Sequence, residues 1–241
     1  MSTVTERNET GMDARWMAGV DTSLRVVGAS LAVGSILAVV SFAFHPPPAS
    51  DLSQQMALIA DAGPRWVAVH WAAAGALSLF AIAGIVALGA HSRLTRQWWT
   101  MLAWGVVTLG ALWTLTTAVA EATVVVDAAT AGSTEMFEAW ELFAEGMATG
   151  FGFLALAVAV IAGNEARSEA RATPTWAAWI AALAGITAFL GFAMGMWLGI
   201  AIGGIVWVVS AIVMSLWTLW FGVALMRLAP VVQSRSERSP A

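Results

Sequence analysis

The sequence predicts an all-α integral membrane protein, a six-helix transmembrane bundle with both termini cytoplasmic and a short amphipathic helix in the first outer loop. Three observations predict it. Only 11% of the 241 residues are charged while 59% are hydrophobic, far from the ~25% charge of a water-facing surface. The apolar residues fall in long, nearly uncharged runs of the length that crosses a ~30 Å hydrocarbon core. The eleven arginines divide between the intervening loops with a strong asymmetry.

The first apolar run covers about Ser23 to Phe44 and stops at His45-Pro46-Pro47-Pro48, because successive prolines cannot continue a helix. The next residues, Asp51-Leu52-Ser53-Gln54, have capping-box spacing. Leu52, Met56 and Ile59 then recur at helical spacing, which predicts a short amphipathic helix at the membrane surface ending near Gly63-Pro64. Span two runs from about Trp66 to Ala90. Span three begins at Trp98-Trp99, stays apolar to about Ala120, and continues less cleanly past Glu121 to Val126. A polar loop at Thr130 to Thr134 separates it from span four, about Glu135 to Ala162. From Trp176 to Met226 no charged residue occurs. Such a run is about twice what one span needs at ~1.5 Å per residue, so it folds back, with the turn expected near Gly195 to Gly203.

Ten arginines flank one side of this threading and only Arg65 falls on the other. The bias places both termini in the cytoplasm and the chain in the cytoplasmic membrane as a multi-pass protein. Eight acids against one arginine leave the outer side near −7, while ten arginines against seven acids leave the inner side near +3. The expected organisation is a polar cytoplasmic segment (1–22), a four-helix half with an outer polar pocket (23–163), a cytoplasmic loop (164–175), a glycine-rich transmembrane hairpin (176–228) and a cytoplasmic tail (229–241). The acidic N-terminus lacks the basic n-region of a signal peptide, so no cleaved segment is expected.

Composition also excludes chemistry. Cysteine is absent, which removes disulfides, thiolate metal sites and cysteine nucleophiles. Lysine is absent, which removes Schiff-base catalysis. No basic patch points to nucleic acid, and no glycine loop with its lysine points to nucleotide-driven transport. The lipid bilayer is the certain partner, with a membrane-protein partner or a second copy of the chain as further expectations.

Small and polar residues sharing a helical face mark a bundle interior. On span one that face carries Ser41 and His45, on span two His70 and Ala74, on span three Thr114, Thr117 and Glu121, and on span four Glu138, Glu141 and Glu145. His45, His70, Glu121, Glu141 and Glu145 all fall near the outer ends of their helices. This set is the candidate ligand- or proton-binding site, and His70, Glu121, Glu145 and His45 are the candidate metal ligands. Nitrogen and oxygen donors of this kind suit a divalent metal such as zinc, iron, manganese or copper(II). A bis-histidine haem is disfavoured because the prolines constrain His45. The bland reading of each residue is plain: histidines beside tryptophan sit in the headgroup belt, and Glu135 and Glu138 favour a positive helix start. Span six and the start of span five carry Trp176, Trp179, Trp217 and Trp220, expected as an inner aromatic belt.

The functional expectation is a six-span protein whose outer His/Glu pocket binds a cation, proton or small ligand, as transporter, sensor or accessory subunit. The alternatives are a structural or assembly subunit without a site of its own, and a metal-dependent membrane enzyme acting on a lipid-soluble substrate. No motif is specific enough to carry residues across from a known family.

Overall fold

A computed structural model describes residues 3–46, 49, 51–90 and 92–236, with side-chain surroundings for 22–46, 49, 51–90 and 92–228. Pro47, Pro48, His91 and the end of the tail lie outside the described residues. The helices are α1 (Thr3–Phe44), α2 (Leu52–Gly89), α3 (Trp98–Ala120), α4 (Val126–Ala131), α5 (Thr134–Arg167), α6 (Thr175–Phe192) and α7 (Ala201–Ser236). A π-helical turn, Glu121–Val125, joins α3 to α4, and another, Ala193–Trp197, ends α6. Six helical stretches are long and apolar enough to cross a membrane. Large apolar side chains face outward, with Leu109, Leu183 and Ile205 each more than 60% exposed; such a surface suits lipid.

The six long helices close into a ring. The main neighbours run α1, α2, α3, α5, α6, α7 and back to α1. In lipid no hydrophobic force draws apolar helices together, so close backbone approach must supply the contact energy. Glycine provides it at every seam. A Cβ on Gly28 would meet the Gly222 carbonyl at 2.5 Å across the α1–α7 seam, and one on Gly110 would meet the Gly150 carbonyl at 2.7 Å across α3–α5. Gly84 does the same between α2 and α3, Gly185 between α5 and α6, and Gly191 between α6 and α7; Gly34 and Gly75 make a looser seam between α1 and α2. A buried hydrogen bond between Ser35 Oγ and Thr218 Oγ1 (2.7 Å) adds a polar tie to the α1–α7 seam.

The membrane span of α1 begins at Thr22, as the apolar run predicts, on a helix that itself starts at Thr3. One boundary differs from expectation. The helix expected to end at Gly63-Pro64 does not end there, and residues 52–63 are the first turns of α2. Pro64 removes one N–H, but both it and Ala60, whose carbonyl loses that partner, are exposed. Ile59 and Trp66, on either side of the proline, are pinned in a cluster with Val125 and Phe137, which holds the helix straight through. The hairpin turn falls inside the expected Gly195 to Gly203 window. It occupies Leu198–Ile200, with Gly199 at φ +64°, while Gly191, Gly195 and Gly203 pack α6 against α7.

Candidate functional site

The ring encloses a cavity of about 480 Å³, within the ~300–1,000 Å³ usual for small-molecule sites. α1, α2, α3, α5 and α7 line it; α6 lies behind α5 and α7 and contributes nothing beyond Met196 of the turn that follows it. His45, His70, Glu121, Glu141 and Glu145 all line this one cavity. They cluster at the end of the bundle that carries the excess of acids, here called the acidic end. Towards the opposite end the walls become mainly apolar, with Leu77, Phe80, Phe151, Leu154 and Val158, beside the hydroxyls of Ser215 and Thr218. On α1 alone the lining extends from Leu31 to His45, fourteen residues or about 21 Å of rise.

Each polar side chain is aimed by a local device. The capping of α2 by Asp51, whose carboxylate accepts the Gln54 N–H at 2.9 Å and the Ser53 hydroxyl at 2.7 Å, starts the helix that carries His70. These two bonds hold the Asp51 carboxyl below its ordinary value of 3.8. The His70 ring donates from Nδ1 to the Trp66 carbonyl one turn back, at 2.9 Å. His45 donates from Nδ1 to the Pro46 carbonyl at 2.6 Å. Both bonds leave Nε2 of the neutral ring as an acceptor. The two imidazoles and the Trp66 indole form one aromatic group, with centroids 4.6–5.1 Å apart. His45 keeps an accessible edge while protein atoms enclose the rest of its ring. That loss of water holds its pKa below 6.5, against the pull of the Pro46 bond, and the Arg65 charge lowers it further.

Glu121 opens the π-helical turn, an insertion of the kind that often marks functional positions. It is 7% exposed and its Oε2 accepts the Trp66 indole N–H at 3.2 Å. Glu141 holds Oε2 buried with no hydrogen-bond partner. Glu145 is exposed although it borders the same cavity, so Glu141 is the more enclosed of the two, the reverse of what helix depth suggests. Among the described residues, no arginine lines the cavity beside Glu121, Glu141 and Glu145.

The expected metal centre is not formed. Among the described residues no group of three or more His, Asp or Glu side chains is placed to hold a metal ion. The candidate ligands His45, His70, Glu121 and Glu145 share a cavity without converging on a point. The Nδ1 bonds of the two imidazoles leave each Nε2 free to bind, but the rings meet edge to face and no third donor joins them. One expected belt tryptophan also moves inward: Trp217 is 5% exposed and donates to Thr173 Oγ1 at 3.3 Å, whereas Trp176, Trp179 and Trp220 do face outward.

No family model, curated protein or solved structure matches this chain.

Sequence reasoning missed Trp66, which is 2% exposed and organises both histidines and Glu121. Its position four residues before His70 places the two on one helical face, and that spacing was the available signal. It also missed Trp104 and Trp207, cavity-lining tryptophans whose buried Nε1 atoms have no partner. Nothing in their flanking sequence separates them from lipid-facing tryptophans.

Proposed function

We propose that this membrane protein binds a small amphipathic amine in its protonated form, with the ammonium among His45, His70, Glu121, Glu141 and Glu145 and the apolar body along the shaft below. One observation carries the reading: Glu121, Glu141 and Glu145 stand with both histidines at one end of a mainly apolar cavity, and among the described residues no arginine lines it. Charges without counter-charge are expensive at a membrane boundary, and a cation supplies what the protein omits. The five side chains present acceptors alone, namely carboxylate oxygens and imidazole Nε2, so their complement is a donor. Trp66 adds an aromatic face beside them, which favours a cation further. In the proposed topology both termini are cytoplasmic and the acidic mouth faces outward, as the arginine distribution favours.

The test is direct binding in lipid nanodiscs, followed by quenching of the protein's tryptophan fluorescence with hexylamine or phenethylamine. Glu121→Gln and Glu141→Gln should each weaken binding by roughly tenfold, the loss of one charge-assisted hydrogen bond of ~1.5 kcal/mol. Equal binding of amine by both variants and the unaltered chain would reject the site, and a structural or assembly role would then take its place.

A further inference from the structure

A second, smaller cavity of about 30 Å³ lies at the arginine-rich end of the bundle, bordered by Arg93, Thr100, Asn164, Glu165 and Ser168. It has room for about one water, and polar groups make up about half of its wall. Arg93 Nη2 is buried there without a partner. Four further residues border it: Leu94 and three that also border the large cavity, Trp104 from α3, Ile161 from α5 and Phe221 from α7. These three are 2%, 7% and 1% exposed. The two cavities are therefore stacked and separated by a layer one side chain deep.

The extent of the stack is visible along α5. Glu141, Glu145 and Ala148 line the large cavity, followed by Leu154, Val158 and Ile161; Ile161, Asn164, Glu165 and Ser168 line the small one. The positions recur every three or four residues, so one face of α5 is lined almost throughout. From Glu141 to Ser168 the rise is about 40 Å, more than the ~30 Å hydrocarbon core. Polar groups at both ends of a closed helix ring, with one apolar layer between, are the form of an occluded channel.

We propose that the two cavities are halves of one translocation path across the bundle, closed at the Trp104–Ile161–Phe221 layer. The cargo named, a protonated amine, rests on the binding reading above; the path itself rests on the stacking. The Trp104 indole N–H, buried in this layer without an acceptor, gives a passing solute or water a donor at the point where it leaves the carboxylates. In the closed arrangement the layer holds the cargo at the acidic end, and trimming it should open the way.

The full-length protein in liposomes tests this. A potassium gradient with valinomycin sets an inside-negative potential, and uptake is followed for radiolabelled hexyltrimethylammonium, a fixed cation that crosses bare lipid poorly. Sodium leak is recorded in parallel, and binding of hexylamine is measured on the same preparations. Ile161→Ala, with Phe221→Leu as a second opening of the layer, should raise uptake or sodium leak about tenfold over the unaltered chain. Monodisperse elution of each variant shows that it is folded. Variants that elute normally and leave both fluxes at the level of protein-free liposomes overturn the path. If hexylamine still binds in that case, the pocket stands without transport. If hexylamine does not bind but the trimmed variants leak sodium, the path stands and the amine reading falls.

Discussion

Gly150 and Gly146 lie one turn apart on α5 and allow the ring's construction to be tested by a matched pair of substitutions. A Cβ on Gly150 would stand 2.7 Å from the Gly110 carbonyl oxygen, 2.7 Å from Trp113 Cβ and 2.8 Å from Thr114 Oγ1. The lock is reciprocal, since a Cβ on Gly110 would stand 2.7 Å from the Gly150 carbonyl. Two of the three obstacles are backbone or Cβ atoms, so α3 and α5 must separate by roughly half an ångström along this seam. Overpacking of this kind costs about 1–3 kcal/mol. At Gly146 a Cβ meets nothing within 4 Å. Both substitutions gain the same helix propensity, about 1 kcal/mol for Gly to Ala, so that gain cancels in the comparison. Gly150→Ala should therefore be less stable than Gly146→Ala by about 1–3 kcal/mol. Unfolding in mixed micelles at rising dodecyl sulfate, followed by tryptophan fluorescence, measures the difference. Equal midpoints for the two variants would refute the claim that glycine seams hold the ring.

Trp66→Phe removes the indole N–H that Glu121 accepts and should lower stability by about 1–3 kcal/mol in the same assay, the usual cost of leaving a buried polar group unsatisfied. The pKa of Asp51 is depressed on folding, so its contribution is present above its unfolded value of 3.8 and is lost as pH falls through the folded one. Asp51→Asn keeps a good cap and should flatten the acid limb of a melting-temperature profile, whereas Asp51→Ala should lower the melting point at neutral pH. The His45 pKa is also depressed, so folding favours its neutral ring; stability should decline as pH falls below 6.5, and His45→Gln should remove that decline. Because the chain has no cysteine, single cysteines report topology cleanly. A membrane-impermeant maleimide should label Ala131→Cys on intact cells and Gln97→Cys only after permeabilisation; both labelling from outside would contradict the proposed orientation.

Much of the fold was legible because lipid imposes a blunt rule: apolar runs of sufficient length become helices. The polar loop at Thr130 to Thr134, the less regular stretch after Ala120 and the fold-back of the last charge-free run all left marks in the sequence. The five polar residues could be gathered on common faces by helical periodicity, and one cavity does bring them together. What the sequence withheld was pairwise. Which helix neighbours which is decided by seams such as Gly28–Gly222, and nothing local shows that two distant glycines will meet. Ligand geometry was equally hidden, since the metal expectation required three donors to converge on one point and among the described residues no three do. Pro64 reads as a helix end from local chemistry; only the burial of Ile59 and Trp66 on either side explains why the helix goes through. The closing layer of Trp104, Ile161 and Phe221 is formed by three ordinary apolar residues on three helices, and no periodicity distinguishes them from their neighbours.

Amine binding with an apolar shaft below makes a graded prediction about chain length. In nanodiscs, the affinity of n-alkylamines should rise about fourfold for each methylene buried, at ~0.8 kcal/mol per CH₂, and level off once the alkyl chain reaches the Trp104–Ile161–Phe221 floor. Alkyl alcohols of matched length should bind far more weakly, and alkyl carboxylates more weakly still. A charge-blind series in which amine, alcohol and carboxylate bind alike, or an amine series without dependence on length, would contradict the account.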